Sequence, residues 1–192
     1  CQQKLSVFHN LIDTEAIRQK ALSPAEKSMH EGIRLLTVGR LTPQKGFDCA
    51  VYALKLLLEK QYPVYWYIIG EGPEYGRLTQ LARSLHVEDH FIFLGMQNNP
   101  YPYFKMADFY IHATRFEGKS IAIQEAQVLG CAIAASDCSG NREQIVSGVD
   151  GLLCPFSPEG IANAVEYLIE HPPKVLAGRQ HKKPAILKTI FI

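Results

Sequence analysis

Apolar and polar positions along the chain follow two alternating periods. Short apolar runs recur at IRLLTV (33–38), VYWYIIG (64–70), FIFLG (91–95), DFYIHA (108–113), AIAAS (132–136) and GLLC (151–154). Their β-branched and aromatic content, with glycine at several ends, predicts buried strands. Between them lie longer segments with helical spacing. FDCAVYALKLLLEK (47–60) repeats apolar residues at Ala50, Leu54, Leu57 and Leu58. PEYGRLTQLARSLH (73–86) carries Pro73 in its expected first turn, IAIQEAQVLG (121–130) closes on Gly130, and PEGIANAVEYLIEH (158–171) is amphipathic. Upstream, DTEAIRQKAL (13–22) reads as a further helix with Asp13 as its N-cap.

Strand and helix alternate, with gaps too short for a separate domain. That order predicts βαβ units and an α/β fold: a Rossmann-like, doubly wound parallel sheet with helices on both faces. In such sheets ligands bind outside the carboxyl ends of the strands, near the point where strand order reverses. Functional residues are therefore expected in loops that follow strands. Residues 1–31 read as an arm or interdomain linker, residues 32–172 as the folded domain, and residues 173–192 as a tail without a clear period.

Composition narrows the function. The 192-residue chain has a formal net charge of +1, so no field draws it to nucleic acid. Its basic cluster at Arg179, Lys182 and Lys183 is small enough for a solvated face. No apolar run reaches the roughly 18 residues of a membrane span, and no signal peptide is visible. Cysteines at 1, 49, 131, 138 and 154 form no CxxC, which argues for a reducing, cytoplasmic setting. A start at Cys1 rather than Met is expected of a fragment or a processed form.

Three loops carry candidate chemistry. In VGRLTPQKG (38–46), Gly39 and Gly46 permit a sharp turn, and Arg40 and Lys45 can aim two cations at one anion. Charge-assisted hydrogen bonds contribute about 1.5–3 kcal/mol each, enough to hold a diphosphate; a tight βα turn with two exposed cations is the alternative. IIGEGPE (68–74) tempts a dinucleotide reading, but Gly70, Gly72 and Gly76 are spaced one residue too long for GxGxxG. Pro73 also removes an N–H, and turn glycines account for it. In RFEGKSIAIQEAQVLG (115–130), Ser120 opens a helix whose first N–H groups form an anion site, with Glu117 and Glu125 beside it. Two carboxylates would repel phosphate alone. They suit a ligand that bears hydroxyls next to phosphate, such as a sugar nucleotide; two solvated glutamates remain the alternative. No DxD, HExxH, GxSxG or Walker A string occurs, and single histidines such as His112 read as packing or loop residues.

Taken in order, VFHNLID, VGRLTPQKG, IIGEGPE, FLGMQNNPYPYFKMADFYIHATRFEGKSIAIQEA, ASDCSGNREQI and GVDGLLCP resemble the donor-binding half of family 4 (group 1) glycosyltransferases, retaining enzymes of the GT-B fold. The resemblance runs from about Val7 to about His171 and includes an E-x7-E spacing at Glu117 and Glu125. It implies that Arg40 and Lys45 hold the donor diphosphate, with Gly39 and Gly70 in the adjoining loops. Glu125 would bind the ribose hydroxyls and Glu117 would lie beside the transferred sugar. Main-chain groups of Gly118, Lys119, Ser120 and Ile121 would meet phosphate or sugar, and Met96 and Gln97 would lie against the base. Arg40, Lys45 and Glu117 are thus the residues expected to act in catalysis. The resemblance implies no metal and no cofactor besides the nucleotide-diphosphate sugar, which is the donor substrate. It also implies a glycan or lipid acceptor bound mainly by an N-terminal half that this chain lacks. Any membrane association would run through that half, and the chain alone would be a poor transferase. One departure is visible: many members follow the Glu-Gly of the loop with Phe, often then Gly, where this chain has Lys119 and Ser120. A sugar-nucleotide epimerase of related build and an interaction module with a degenerate pocket are competing readings. An NAD-binding domain is disfavoured, because VGRLTPQKG stands where its glycine fingerprint belongs.

Overall fold

The computed structural model describes residues 12–171. The start of the expected linker, the basic cluster at Arg179, Lys182 and Lys183, and the expected tail lie outside the described residues. Six parallel strands form one sheet: β1 (Ile33–Val38), β2 (Val64–Ile69), β3 (Phe91–Gly95), β4 (Phe109–His112), β5 (Ala132–Ser136) and β6 (Leu152–Cys154). Their order is β3-β2-β1-β4-β5-β6, so strand order reverses between β1 and β4. All pairings are parallel, with Ile33 opposite Val64 and Leu35 opposite Phe109.

Successive side chains of a strand point to opposite faces, and each face here has its own core. Leu35, Trp66, Ile68, Ile111 and Ala134 enter one apolar cluster, while Leu36, Tyr67, Ile69, Tyr110 and Ile133 enter the other. A sheet covered on both faces needs apolar residues at consecutive positions. This is why the strands read as continuous apolar runs. Helices α2 (Phe47–Glu59), α3 (Tyr75–Ser84) and α7 (Pro158–Glu170) cover the first face. The second is covered by α1 (Thr14–Lys20), α4 (Tyr101–Met106) and α5 (Ile121–Val128).

Local details follow the sequence with two departures. Asp13 caps α1 by accepting from the Ala16 N–H at 2.9 Å, and Gly130 closes α5 in the left-handed region at φ 64°. Helix α3 starts at Tyr75 rather than Pro73, because Gly72–Glu74 turn back onto Leu41: the Glu74 N–H donates to the Leu41 carbonyl at 3.1 Å. Two helices, α4 and α6 (Ser139–Arg142), stand where no helix was predicted. Both are too short to display a period.

Candidate functional site

The loops that leave the carboxyl ends of β1 and β4 meet at the point where strand order reverses. After β1 the chain runs through Gly39 and Arg40 into a 3₁₀ turn, Pro43–Lys45. The Lys45 stem lies over Gly39, with Cδ 3.8 Å from where a Cβ would stand. Across from it, the loop after β2 presses in so closely that a Cβ on Gly70 would lie 2.1 Å from the Gly39 carbonyl oxygen. With φ at 138°, only glycine fits Gly70 without strain. This glycine serves a close approach of two loops, as the turn reading of IIGEGPE expected.

The Lys45 ammonium forms an ion pair with Glu117 Oε2. The same oxygen lies 3.4 Å from His112 Nε2, and His112 Nδ1 lies 3.2 Å from the Tyr110 hydroxyl. His112 is 2 % exposed, and burial drives its pKa below the usual value against the pull of Glu117. A neutral imidazole with its proton on Nε2 satisfies both contacts: Tyr110 donates to Nδ1 and Nε2–H donates to Glu117. That hydrogen bond, and then the Lys45 ammonium, overcome burial and hold the Glu117 carboxyl down at about 2. His112 is therefore more than a packing residue, since it supports the carboxylate at the centre of the site.

Glu125, in the second turn of α5, has the opposite character. Burial raises its pKa, partly offset by the Tyr101 hydroxyl, which donates to Oε1 at 2.9 Å. Tyr101 is pushed up to about 12 by burial and by this carboxylate, so it stays a donor. Both carboxylates act on the buried Tyr110 phenol, whose pKa burial already raises. Glu117 and Glu125 therefore both act on Tyr110, yet their pKa values are pushed in opposite directions.

The remaining predicted residues lie on the same end of the sheet. Arg40, Gly118 and Lys119 are exposed, and Arg40 joins no ion pair among the described residues. Ile121 and Met96 are 47 % and 67 % exposed. No side chain caps α5. The Ser120 N–H, expected to face a ligand, instead donates to Gln144 Oε1 at 2.6 Å. Met96 and Gln97 stand apart, at the end of β3, where the Met96 N–H reaches Glu71 Oε1 at 3.4 Å and Gln97 Nε2 donates to the Leu94 carbonyl at 2.9 Å. A cavity of about 520 Å³ opens there, between Gly70, Glu71, Tyr75 and Phe93. A smaller one, about 320 Å³, lies at the far end of the sheet near Ile133, Asp150 and His171, and no predicted residue lines it. Among the described residues no cluster of three or more His, Cys, Asp or Glu could hold a metal ion, and no helix is long and apolar enough to cross a membrane.

The sequence reading missed Tyr101, Tyr110, His112 and Gln144. His112 carried a readable signal: it ends a strand five residues before Glu117, at the end of the sheet where ligands bind. The others act through contacts that spacing does not reveal.

Comparison with known proteins bears on the family and the fold. Residues 18–183 match the family described as glycosyl transferases group 1. The chain is 34 % identical over 158 residues to the N-acetylgalactosamine-N,N'-diacetylbacillosaminyl-diphospho-undecaprenol 4-alpha-N-acetylgalactosaminyltransferase of Campylobacter jejuni, covering 82 % of this chain and 42 % of that one. It is 24 % identical over 173 residues to the lipopolysaccharide core biosynthesis glycosyltransferase LpsE of Rhizobium meliloti, covering 88 % of this chain and 48 % of that one. Among solved structures, Anabaena Alr3699/HepE in complex with UDP-glucose superposes with a TM-score of 0.68 at 25 % identity, over 75 % of this chain and 41 % of that one. The chain spans less than half the length of each of these proteins.

Proposed function

The chain belongs to the group 1 glycosyl transferases, and on that basis we propose that it forms the donor-binding half of a retaining glycosyltransferase. In this reading it binds a UDP- or GDP-sugar for transfer of a hexosyl group to a glycan or lipid acceptor, in bacterial surface polysaccharide or lipopolysaccharide synthesis. The acceptor is bound mainly by a domain outside this chain, and the chain alone does not catalyse transfer. The observation that carries the reading is the meeting of Lys45 and Glu117, from two different loops, where strand order reverses.

Each group then has work suited to its charge. Lys45 and the exposed Arg40 neutralise the donor diphosphate, and no metal is required where two cations stand. As Lys45 turns to the phosphate, Glu117 keeps its hydrogen bond from His112 and remains an anion beside the transferred sugar. There it can accept from sugar hydroxyls and favour positive charge developing at the anomeric carbon. Glu125 accepts from the ribose hydroxyls, and the free N–H groups at the start of α5 face the phosphate. The cavity at Glu71 and Phe93 receives the base. That Alr3699/HepE is described with UDP-glucose supports a uridine nucleotide first. Calorimetric titration of the chain with UDP, GDP and their hexose conjugates tests the proposal. Binding of a nucleoside diphosphate, lost in Lys45→Ala, is expected; a folded chain that binds none of them would overturn it.

A further inference from the structure

Gln144, just beyond α6, grips a single residue of the site by both of its main-chain groups. Its Oε1 accepts from the Ser120 N–H at 2.6 Å and its Nε2 donates to the Ser120 carbonyl at 2.9 Å. Only one orientation of the amide makes both bonds, so the side chain pairs with Ser120 much as a neighbouring strand would. Gln144 is itself fixed. Its N–H donates to the Asn141 carbonyl at 3.0 Å, and its carbonyl accepts from Gln127 Nε2, on α5, at 2.8 Å. Beneath the same loop Gly140 packs so tightly that a Cβ there would lie 1.9 Å from the Gly118 carbonyl oxygen. The loop from Glu117 to Ser120 therefore rests on a platform made by α6 and Gln144. Ser120 is only 6 % exposed, so water is poorly placed to replace the amide if it were lost.

We propose that Gln144 is a positioning residue for the donor diphosphate, holding the start of α5 and the loop before it at the distance from Lys45 that a diphosphate spans. The inference rests on the proposed function and adds to it a residue that touches no substrate. It implies that Gln144 matters for the phosphates and little for the base, which lies toward β3, across the sheet. A side chain of similar shape without the amide, Gln144→Met, leaves the Ser120 N–H unpaired and the Ser120 carbonyl with only the longer 3.4 Å bond from the Gln124 N–H, and the loop turns to satisfy the N–H elsewhere.

The test compares UDP with UMP on the chain and on its Q144M variant by calorimetry, with thermal unfolding to establish that the variant is folded. UDP affinity is expected to fall roughly tenfold, the equivalent of one hydrogen bond to a charged group, while UMP affinity changes far less. The preference for UDP over UMP therefore shrinks. A merely structural role lowers both affinities alike, and that result overturns the proposal, as does an unchanged UDP affinity. If Q144M does not fold, the neutral Gln144→Asn takes its place, since Gln144→Glu would add a negative charge that by itself disfavours the diphosphate. One methylene shorter, the asparagine amide cannot reach both Ser120 groups, and the same narrowed preference is expected. A wild-type chain that binds neither nucleotide overturns the functional reading itself, an outcome distinct from binding that Gln144 does not influence.

Discussion

Glu117 and Glu125 illustrate how one residue type acquires two behaviours from its surroundings. Glu117 is held at about 2, against an ordinary value of 4.5, by the His112 hydrogen bond and the Lys45 ammonium. A carboxyl whose folded pKa is depressed adds stability above its unfolded pKa, and that stability is lost as pH falls toward the folded one. Glu117→Gln is therefore expected to be less stable than wild type at neutral pH, and the gap should close between pH 4.5 and about 2. Melting temperatures recorded across that range decide it; a gap of constant size would separate Glu117 from His112 and Lys45. Glu125 moves the other way, because burial raises its pKa and only the Tyr101 hydroxyl opposes the rise. Removing that donor with Tyr101→Phe pushes Glu125 further up, so protonation begins at higher pH. Nucleotide affinity of Tyr101→Phe should then weaken earlier than that of wild type as the solution is acidified. Parallel affinity profiles would remove Glu125 from the binding of hydroxyls.

Among the elements, α3 and α6 show that the same substitution can have opposite signs. Replacing glycine by alanine inside a helix ordinarily stabilises by roughly 0.5–1 kcal/mol, through the freedom removed from the unfolded chain. Gly76, in α3, has nothing within 4 Å of an added Cβ, so Gly76→Ala should gain about that amount. Gly140, in α6, would set a Cβ 1.9 Å from Gly118 O and 2.3 Å from Glu117 O, and both are backbone atoms that cannot rotate away. Overpacking costs about 1–3 kcal/mol, which outweighs the helical gain, so Gly140→Ala should be destabilised and should bind donor more weakly. Urea unfolding of both variants checks the pair; a stable Gly140→Ala would mean that the loop does not rest on α6. The same contrast explains what could be read in advance. Helices α2 and α7, of 13 residues each, run long enough to show their buried face. Helices α4 and α6, of six and four residues, are set by what they pack against. So are Tyr101 and Gln144, whose partners Glu125 and Ser120 each lie 24 residues away in sequence.

At the scale of the whole molecule, both faces of the sheet are covered, and apolar runs broken by amphipathic helices were sufficient to announce that arrangement. Strand order was not legible in the same way, because the reversal between β1 and β4 is decided by which strands pair. The charged residues of the site were legible because their loops follow strands, and the carboxyl end of a doubly wound sheet is where such loops converge. That end also carries the exposed Arg40, Gly118, Lys119, Ile121 and Met96, unlike the packed faces. On the proposed reading a nucleotide sugar bound there would touch groups that follow β1, β2, β3 and β4, and no unfolded chain can offer them at once. Binding must therefore stabilise the fold by mass action: a nucleoside diphosphate at a hundred times its Kd adds about 2.7 kcal/mol. For a domain of this size that corresponds to a rise in Tm of roughly 5–11 °C. Differential scanning calorimetry with UDP should show the rise in wild type and its near absence in Arg40→Ala, whose exposed cation leaves the unliganded Tm unchanged. A rise of equal size in both would place the nucleotide away from Arg40.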